Sequence, residues 1–154
     1  MTNVEVIRPG VDISARVRRT TNQSIPTNVS TAITFDVARW DTGGFFVLGS
    51  PTRLTVNQSG KYWVFGSVAW DQNATGLRDI FFQVNGSTVI VANAEQAVTA
   101  ALFGNVQQAG ALWDFVVGDY VELFVLQTAG VAINVTTQNA WSPEFMVQKV
   151  DFGG

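Results

Sequence analysis

The chain has 154 residues, 47% of them hydrophobic and 14% charged, with a formal net charge of −3. That is the length of one domain, too apolar for a disordered chain and long enough to bury a core without crosslinks. Cysteine and histidine are both absent, which excludes disulfides, thiolate metal sites, Ser-His-Asp triads and histidine-zinc centres.

The seven Arg and two Lys are dispersed apart from Arg16, Arg18 and Arg19. A broad phosphate-binding face is therefore not expected, and nucleic acid is not an expected partner. No apolar run approaches the roughly 20 residues of a membrane-spanning helix, so no membrane partner is expected either. Residues 1–9 lack a basic stretch followed by an apolar block, so no secretory signal peptide is expected.

In chain order, residues 1–13 read as an N-terminal arm, in which Val4, Val6, Ile7 and Arg8 precede the break at Pro9-Gly10. Such a segment either frays or adds as a strand to the sheet edge of a neighbouring protein, which would make these four residues an attachment arm. Residues 14–154 read as the folded domain. Its first strand, around Ser14 to Arg18, carries the basic cluster, which is either a solvated strand edge or a surface that docks on an acidic partner.

Lys61 to Trp70 alternates clearly. Tyr62, Val64, Gly66, Val68 and Trp70 share one face, and Lys61, Trp63, Phe65, Ser67 and Ala69 share the other. Both faces carry aromatics, so this strand is covered on both sides or lends one face to a subunit contact. Asp71 to Gly76 starts like a calcium loop, but position twelve is Phe82 where a bidentate Glu is needed, and a polar surface loop is the better reading.

Asp79 to Val84, then Asn85-Gly86, then Ser87 to Val91 predicts a two-residue hairpin, because Asn-Gly supplies the positive φ angles of the turn. Ala94 to Leu102 has the propensity for two helical turns within a β-rich context. Trp113 to Val117, the turn Gly118-Asp119, and Tyr120 to Leu126 form a second strand-turn-strand unit with Val121, Leu123 and Val125 facing the core. A last strand spans Glu144 to Val150. About ten strands result, as in a sandwich or a jelly roll.

Several of these segments together resemble the globular domain shared by complement C1q and tumour necrosis factor. The opening strand Ser14-Ala-Arg-Val-Arg18 is similar to the first strand of that family, and Ile33-Thr-Phe-Asp-Val-Ala-Arg-Trp-Asp41 to its second segment. Pro51 to Phe65, with Gly60-Lys-Tyr62, resembles its Gly-x-Tyr turn and central strand. Val84-Asn85-Gly86, Gly118-Asp119-Tyr-Val-Glu-Leu123 and Trp141-Ser-Pro-Glu-Phe145 resemble its hairpin, its Gly-Asp strand and its closing strand.

The resemblance implies an all-β, ten-stranded, two-sheet jelly-roll sandwich that forms a compact homotrimer around an aromatic axis. With no collagen-like stalk and no cysteine, the phage and bacterial members fit better than the animal ones. Because aromatics on both strand faces need a second buried surface, Tyr62 or Trp63, Tyr120 or Phe124, and Trp141 or Phe145 are expected at the trimer interface; if the domain instead binds a receptor, exposed loop aromatics such as Trp40 or Trp70 form its ligand loop.

No phosphate loop, Ser-x-x-Lys or Gly-x-Ser-x-Gly motif occurs, so no enzyme, metal or cofactor is expected. The expected function is a bacteriophage virion structural protein, made in the host cytoplasm, that decorates and stabilises a capsid by binding the major capsid protein. The alternative is a receptor-binding module of a tail fibre or spike, bound to a tail protein and recognising a host surface glycan.

Overall fold

The computed structural model describes residues 10–99, 104–138 and 141–150. They form twelve strands: β1 (Ser14–Arg18), β2 (Gln23–Ile25), β3 (Thr31–Ala32), β4 (Val37–Asp41), β5 (Arg53–Thr55), β6 (Gly60–Ala69), β7 (Leu77–Val84), β8 (Thr88–Gln96), β9 (Val106–Phe115), β10 (Tyr120–Gln127), β11 (Ile133–Val135) and β12 (Glu144–Lys149).

Ten of them make two five-stranded sheets, as expected. The first runs β4-β1-β12-β6-β9; the second runs β3-β10-β7-β8, with β5 also paired to β10. The remaining two, β2 and β11, form a short antiparallel ribbon. The sheets face each other across one core, the arrangement of a jelly roll.

Period-2 patterning decides which side chains enter that core. Along β6, Tyr62, Val64 and Val68 are buried while Lys61, Trp63 and Phe65 point outward. Along β10, Val121, Leu123 and Val125 are fully buried. Tyr62 is flanked edge-on by Phe45 and Phe115, with ring centroids 5.9 and 5.7 Å away. Phe145 packs between Phe35 at 5.7 Å and Phe82 at 5.2 Å. Each such ring contributes on the order of 2–3 kcal/mol by leaving water. Gly66 faces inward where Phe82 crosses, and a Cβ there would meet that ring at 2.8 Å.

The β7–β8 hairpin closes through Asn85 (φ 52°) and Gly86 (φ 70°), with Ser87 N donating to Val84 O at 3.2 Å. The second strand-turn-strand unit differs from a hairpin. β9 belongs to the first sheet and β10 to the second, so the turn at Gly118-Asp119 is a corner between layers. Alternation reads the same in both cases, which is why the sequence pattern does not separate them. Residues 94–96 continue β8 as strand, so helical propensity loses there to ladder pairing with β7.

One end of the core is polar. Arg78 occupies an inward position of β7 and is closed to solvent. Its guanidinium donates to the carbonyls of Asn73, Thr75 and Leu77, each at 3.0 Å, and lies 5.7 Å from the Trp70 ring. Burial lowers its pKa from the usual value. Gln107 beside it donates to the carbonyls of Arg78 at 3.1 Å and Asn93 at 2.8 Å. These bonds fix the 71–76 loop, whose Asn73 side chain accepts from Thr75 N at 2.9 Å.

Candidate functional sites: an exposed sheet face and an end cleft

The outer face of the first sheet is the larger of two candidate surfaces. Antiparallel register sets Trp63 between Gln148 of β12 and Leu112 of β9, and sets Phe65 between Met146 and Gly110. Trp63, Phe65 and Leu112 remain 52%, 39% and 41% exposed. Three large apolar side chains on adjacent strands of one face are costly to leave in water. Gly110 lets Phe65 lean over β9, since a Cβ there would stand 3.2 Å from its ring.

Beside this strip, the buried carboxylate of Glu144 accepts from Arg16 Nε and, at 2.8 Å, from Arg39 Nε. Hydrogen bonding and the charge of Glu144 raise the Arg39 pKa further. Arg16 also lies 5.6 Å over the Trp40 ring. Two arginines against one carboxylate leave a local excess of one positive charge within the apolar face.

The six residues expected at a subunit interface do not converge. Tyr62 and Phe145 are 0% and 1% exposed inside a single chain, so their rings pack the core and cannot reach another copy. Trp63 lies on the exposed strip. Tyr120 and Phe124 lie on the outer face of the other sheet, where Arg53 sits 3.8 Å over the Tyr120 ring and Phe124 stacks on Phe81 at 5.4 Å. Trp141 stands at the end of the sandwich ahead of β12.

The candidate ligand loop also needs correction. Trp70 is 2% exposed, with its Nε1 donating to Gln107 Oε1, so it forms a wall of the core and offers no open ring face. Trp40 is 40% exposed, its Nε1 donates to Ser14 Oγ at 2.9 Å, and Arg16 covers one side of its ring. The attachment arm, Val4, Val6, Ile7 and Arg8, lies outside the described residues.

The basic cluster is not a sheet edge. β1 is paired on both sides, by β4 and β12. Arg16 is tied to Glu144, and Arg19 donates to Thr34 O at 3.0 Å and Asn22 O at 3.2 Å. Glu144 and Arg16 are 128 positions apart, so no local pattern reveals their pairing.

The second surface is a cleft of about 70 Å³ where β6 ends and β9 begins. Asp71, Gln72, Gly104, Thr136, Gln138 and Trp141 line it together with Trp70. Asp71 is positioned from both sides: its N donates to Asn134 O at 2.9 Å, and its Oδ2 accepts from Asn134 Nδ2 at 2.8 Å. Trp141 N donates to Gln138 O at 2.9 Å. Gly104 is required at the floor because a Cβ would collide with the backbone oxygens of Trp70 and Asp71.

Comparison with known proteins agrees with the architecture. No family model matches the chain. It is similar to the Eiger TNF of S. frugiperda, with a TM-score of 0.66 and 13% identity over 93% of this chain and 95% of that one. It is also similar to murine APRIL, with a TM-score of 0.66 and 9% identity over 90% and 99% of the two chains. At these identities the likeness is one of fold, a tumour-necrosis-factor-like jelly roll.

In sequence, the chain is 26% identical over 121 residues to an uncharacterized protein of Acanthamoeba polyphaga mimivirus, a match covering 75% of this chain and 51% of the viral one. The chain thus spans about half the length of the curated relative it matches.

Proposed function

We propose that the protein is a non-enzymatic virion structural component that works as a homotrimer and stabilises a capsid from its surface. The observation that carries the reading is the exposed strip of Trp63, Phe65 and Leu112 on one face of the first sheet. A protein that leaves such a strip open in one copy gains by covering it in an assembly. The resemblance to the C1q and tumour necrosis factor domain supports three as the number of copies.

The relative is an uncharacterized protein of a virus, which supports a viral setting; the role in the particle and the choice of a bacteriophage rest on the sequence resemblance. Decoration needs matching symmetry and contact area and no reactive groups, which suits a chain lacking both histidine and cysteine. The partner in this reading is the major capsid protein.

Sedimentation of the purified chain tests the assembly. A trimer is expected at micromolar concentration, and the double substitution Trp63→Ser, Phe65→Ser is expected to yield a folded monomer. A wild-type monomer at that concentration sinks the reading. Cryo-EM of particles tests the location: density over the capsid lattice is expected, and density at the tail tip replaces decoration with receptor binding.

A further inference from the structure

We infer that Arg16, held by Glu144 and flanked by Ser67 and Arg18, forms an anion subsite on the outer face of the first sheet that takes a free tetrahedral oxyanion, inorganic phosphate or sulfate. This goes beyond the assembly reading, because a single chain supplies every residue of the subsite.

Three features point to that ion. The first is charge. Ala15 and Val17 of β1 enter the core, so Arg16 and Arg18 lie on the outer face, with Arg18 opposite Glu144 in the β1–β12 register. Arg16 and Arg39 already outnumber the Glu144 carboxylate by one. Arg18 has no ion pair or side-chain hydrogen bond among the described residues, and it raises the excess to two. The acids at either end of β4 are engaged elsewhere: Asp36 accepts from Thr20 N at 3.0 Å, and Asp41 from Phe45 N at 2.8 Å and Phe46 N at 3.0 Å.

The second is donor geometry. Glu144 is buried and both its oxygens are taken, Oε2 by Arg16 Nε and Oε1 by Arg39. Arg16 spends only its Nε in this contact, and its Nη1 and Nη2 donate to no described protein group. A guanidinium fixed through Nε and open at both terminal nitrogens is the fork that binds phosphate oxygens in pairs. Anchoring on Glu144 also removes rotamer freedom that binding would otherwise have to freeze.

The third is space. A cavity of about 50 Å³ opens beside Arg16, lined also by Phe65, Ser67, Glu144, Phe145 and Met146. One water needs roughly 15 Å³ by the same measure, so about three waters fit, the room of one small oxyanion. Ser67 stands opposite Glu144 in the β12–β6 register, and no described residue engages its hydroxyl, which adds a neutral donor across the cavity from Arg16. Phe65 and Met146 form an apolar wall, beside which a charge contact is stronger than in open water. Such a site suits a single ion and not the extended cationic track that a nucleic acid requires.

Isothermal titration calorimetry and phosphorus NMR on the full chain test this with phosphate, sulfate and acetate, each against chloride at equal ionic strength. Phosphate is expected to bind once per chain at millimolar concentration or below, and sulfate to compete with it. Acetate, a planar monoanion, is expected to bind roughly fivefold more weakly. Arg16→Lys keeps the charge and loses the fork, and is expected to weaken phosphate binding about tenfold. Arg18→Gln, at a position no described partner depends on, and Ser67→Ala are each expected to weaken it about threefold. Should Arg16→Lys fail to fold, these two carry the test.

Trp63→Ser, Leu112→Ser removes side chains of the apolar strip that do not line the cavity. It is expected to leave phosphate binding intact, which separates this inference from the assembly reading. Absence of saturable phosphate binding overturns the inference. So does acetate binding as tightly as phosphate, or phosphate binding that is unchanged in both Arg18→Gln and Ser67→Ala.

Discussion

Trp70 and Gln107 are joined inside the protein: the indole Nε1 donates to Gln107 Oε1 at 2.9 Å, and both side chains are closed to solvent. The amide of Gln107 in turn serves the carbonyls of Arg78 and Asn93. The Trp70 indole just past β6, and carbonyls of β7 and β8, thus share one glutamine. Replacing it by leucine, Gln107→Leu, removes the acceptor of the buried Trp70 Nε1 and the side-chain donor to the Arg78 and Asn93 carbonyls. We expect a loss of about 2–4 kcal/mol, each stranded group costing on the order of 1–3 kcal/mol before relaxation. Urea unfolding should show a lower midpoint with an unchanged slope.

Asp79 gives a pH dependence of unusual sign. Burial raises its pKa from the ordinary 3.8, partly offset by a hydrogen bond from the Ile80 backbone, and its Oδ1 has no partner. A carboxyl with a raised folded pKa binds its proton more tightly in the native than in the unfolded chain. Its contribution to stability is therefore largest below the unfolded value, and it falls as pH rises through the folded one. Asp79→Asn should be more stable than wild type at neutral pH, and the difference should shrink as pH falls toward 4. Paired melting curves across that range check it; a constant difference refutes it.

At Gly66 the question is steric. A Cβ would stand 2.8 Å from the Phe82 ring, 3.1 Å from Glu144 O and 3.2 Å from Leu123. The neighbours are core rings and ladder backbone with no room to give, so Gly66→Ala should cost about 1–3 kcal/mol. Gly49, with nothing within 4 Å of its Cβ position, is the control, and Gly49→Ala should change stability by less than about 0.5 kcal/mol. Thermal unfolding of the two variants distinguishes them directly.

The fold was largely written in alternation and turn chemistry. Tyr62, Val64 and Val68 on one side of β6, and Val121, Leu123 and Val125 on one side of β10, are core as their period requires. Asn85-Gly86 makes the turn its φ angles demand. Alternation cannot say which sheet a strand joins, so the corner at Gly118-Asp119 reads like a hairpin.

The sites were less legible for two reasons. Tryptophan's size suits both a core wall and a ligand platform, and only the Gln107 amide and the Arg78 carbonyl contacts around it show that Trp70 is the former. Pairings such as Arg16 with Glu144 join opposite ends of the chain and leave no spacing to read. Two-faced aromatic patterning at Trp63 and Phe65 did signal a second surface, but it could not tell which partners from other strands would lie beside them.

The order of strands in the first sheet bears on how the chain folds during synthesis. β1 and β6 are neighbours of β12 and not of each other, so the N-terminal strands have no place in that sheet until residues 144–149 have left the ribosome. Until then Tyr62, Val64 and their ladder partners wait with an unfilled edge, and the Trp63–Phe65 side is equally bare. Completion of the sheet is a late, long-range event of the kind that makes such topologies slow to fold, and it creates the assembled face only on chains that have been translated through β12.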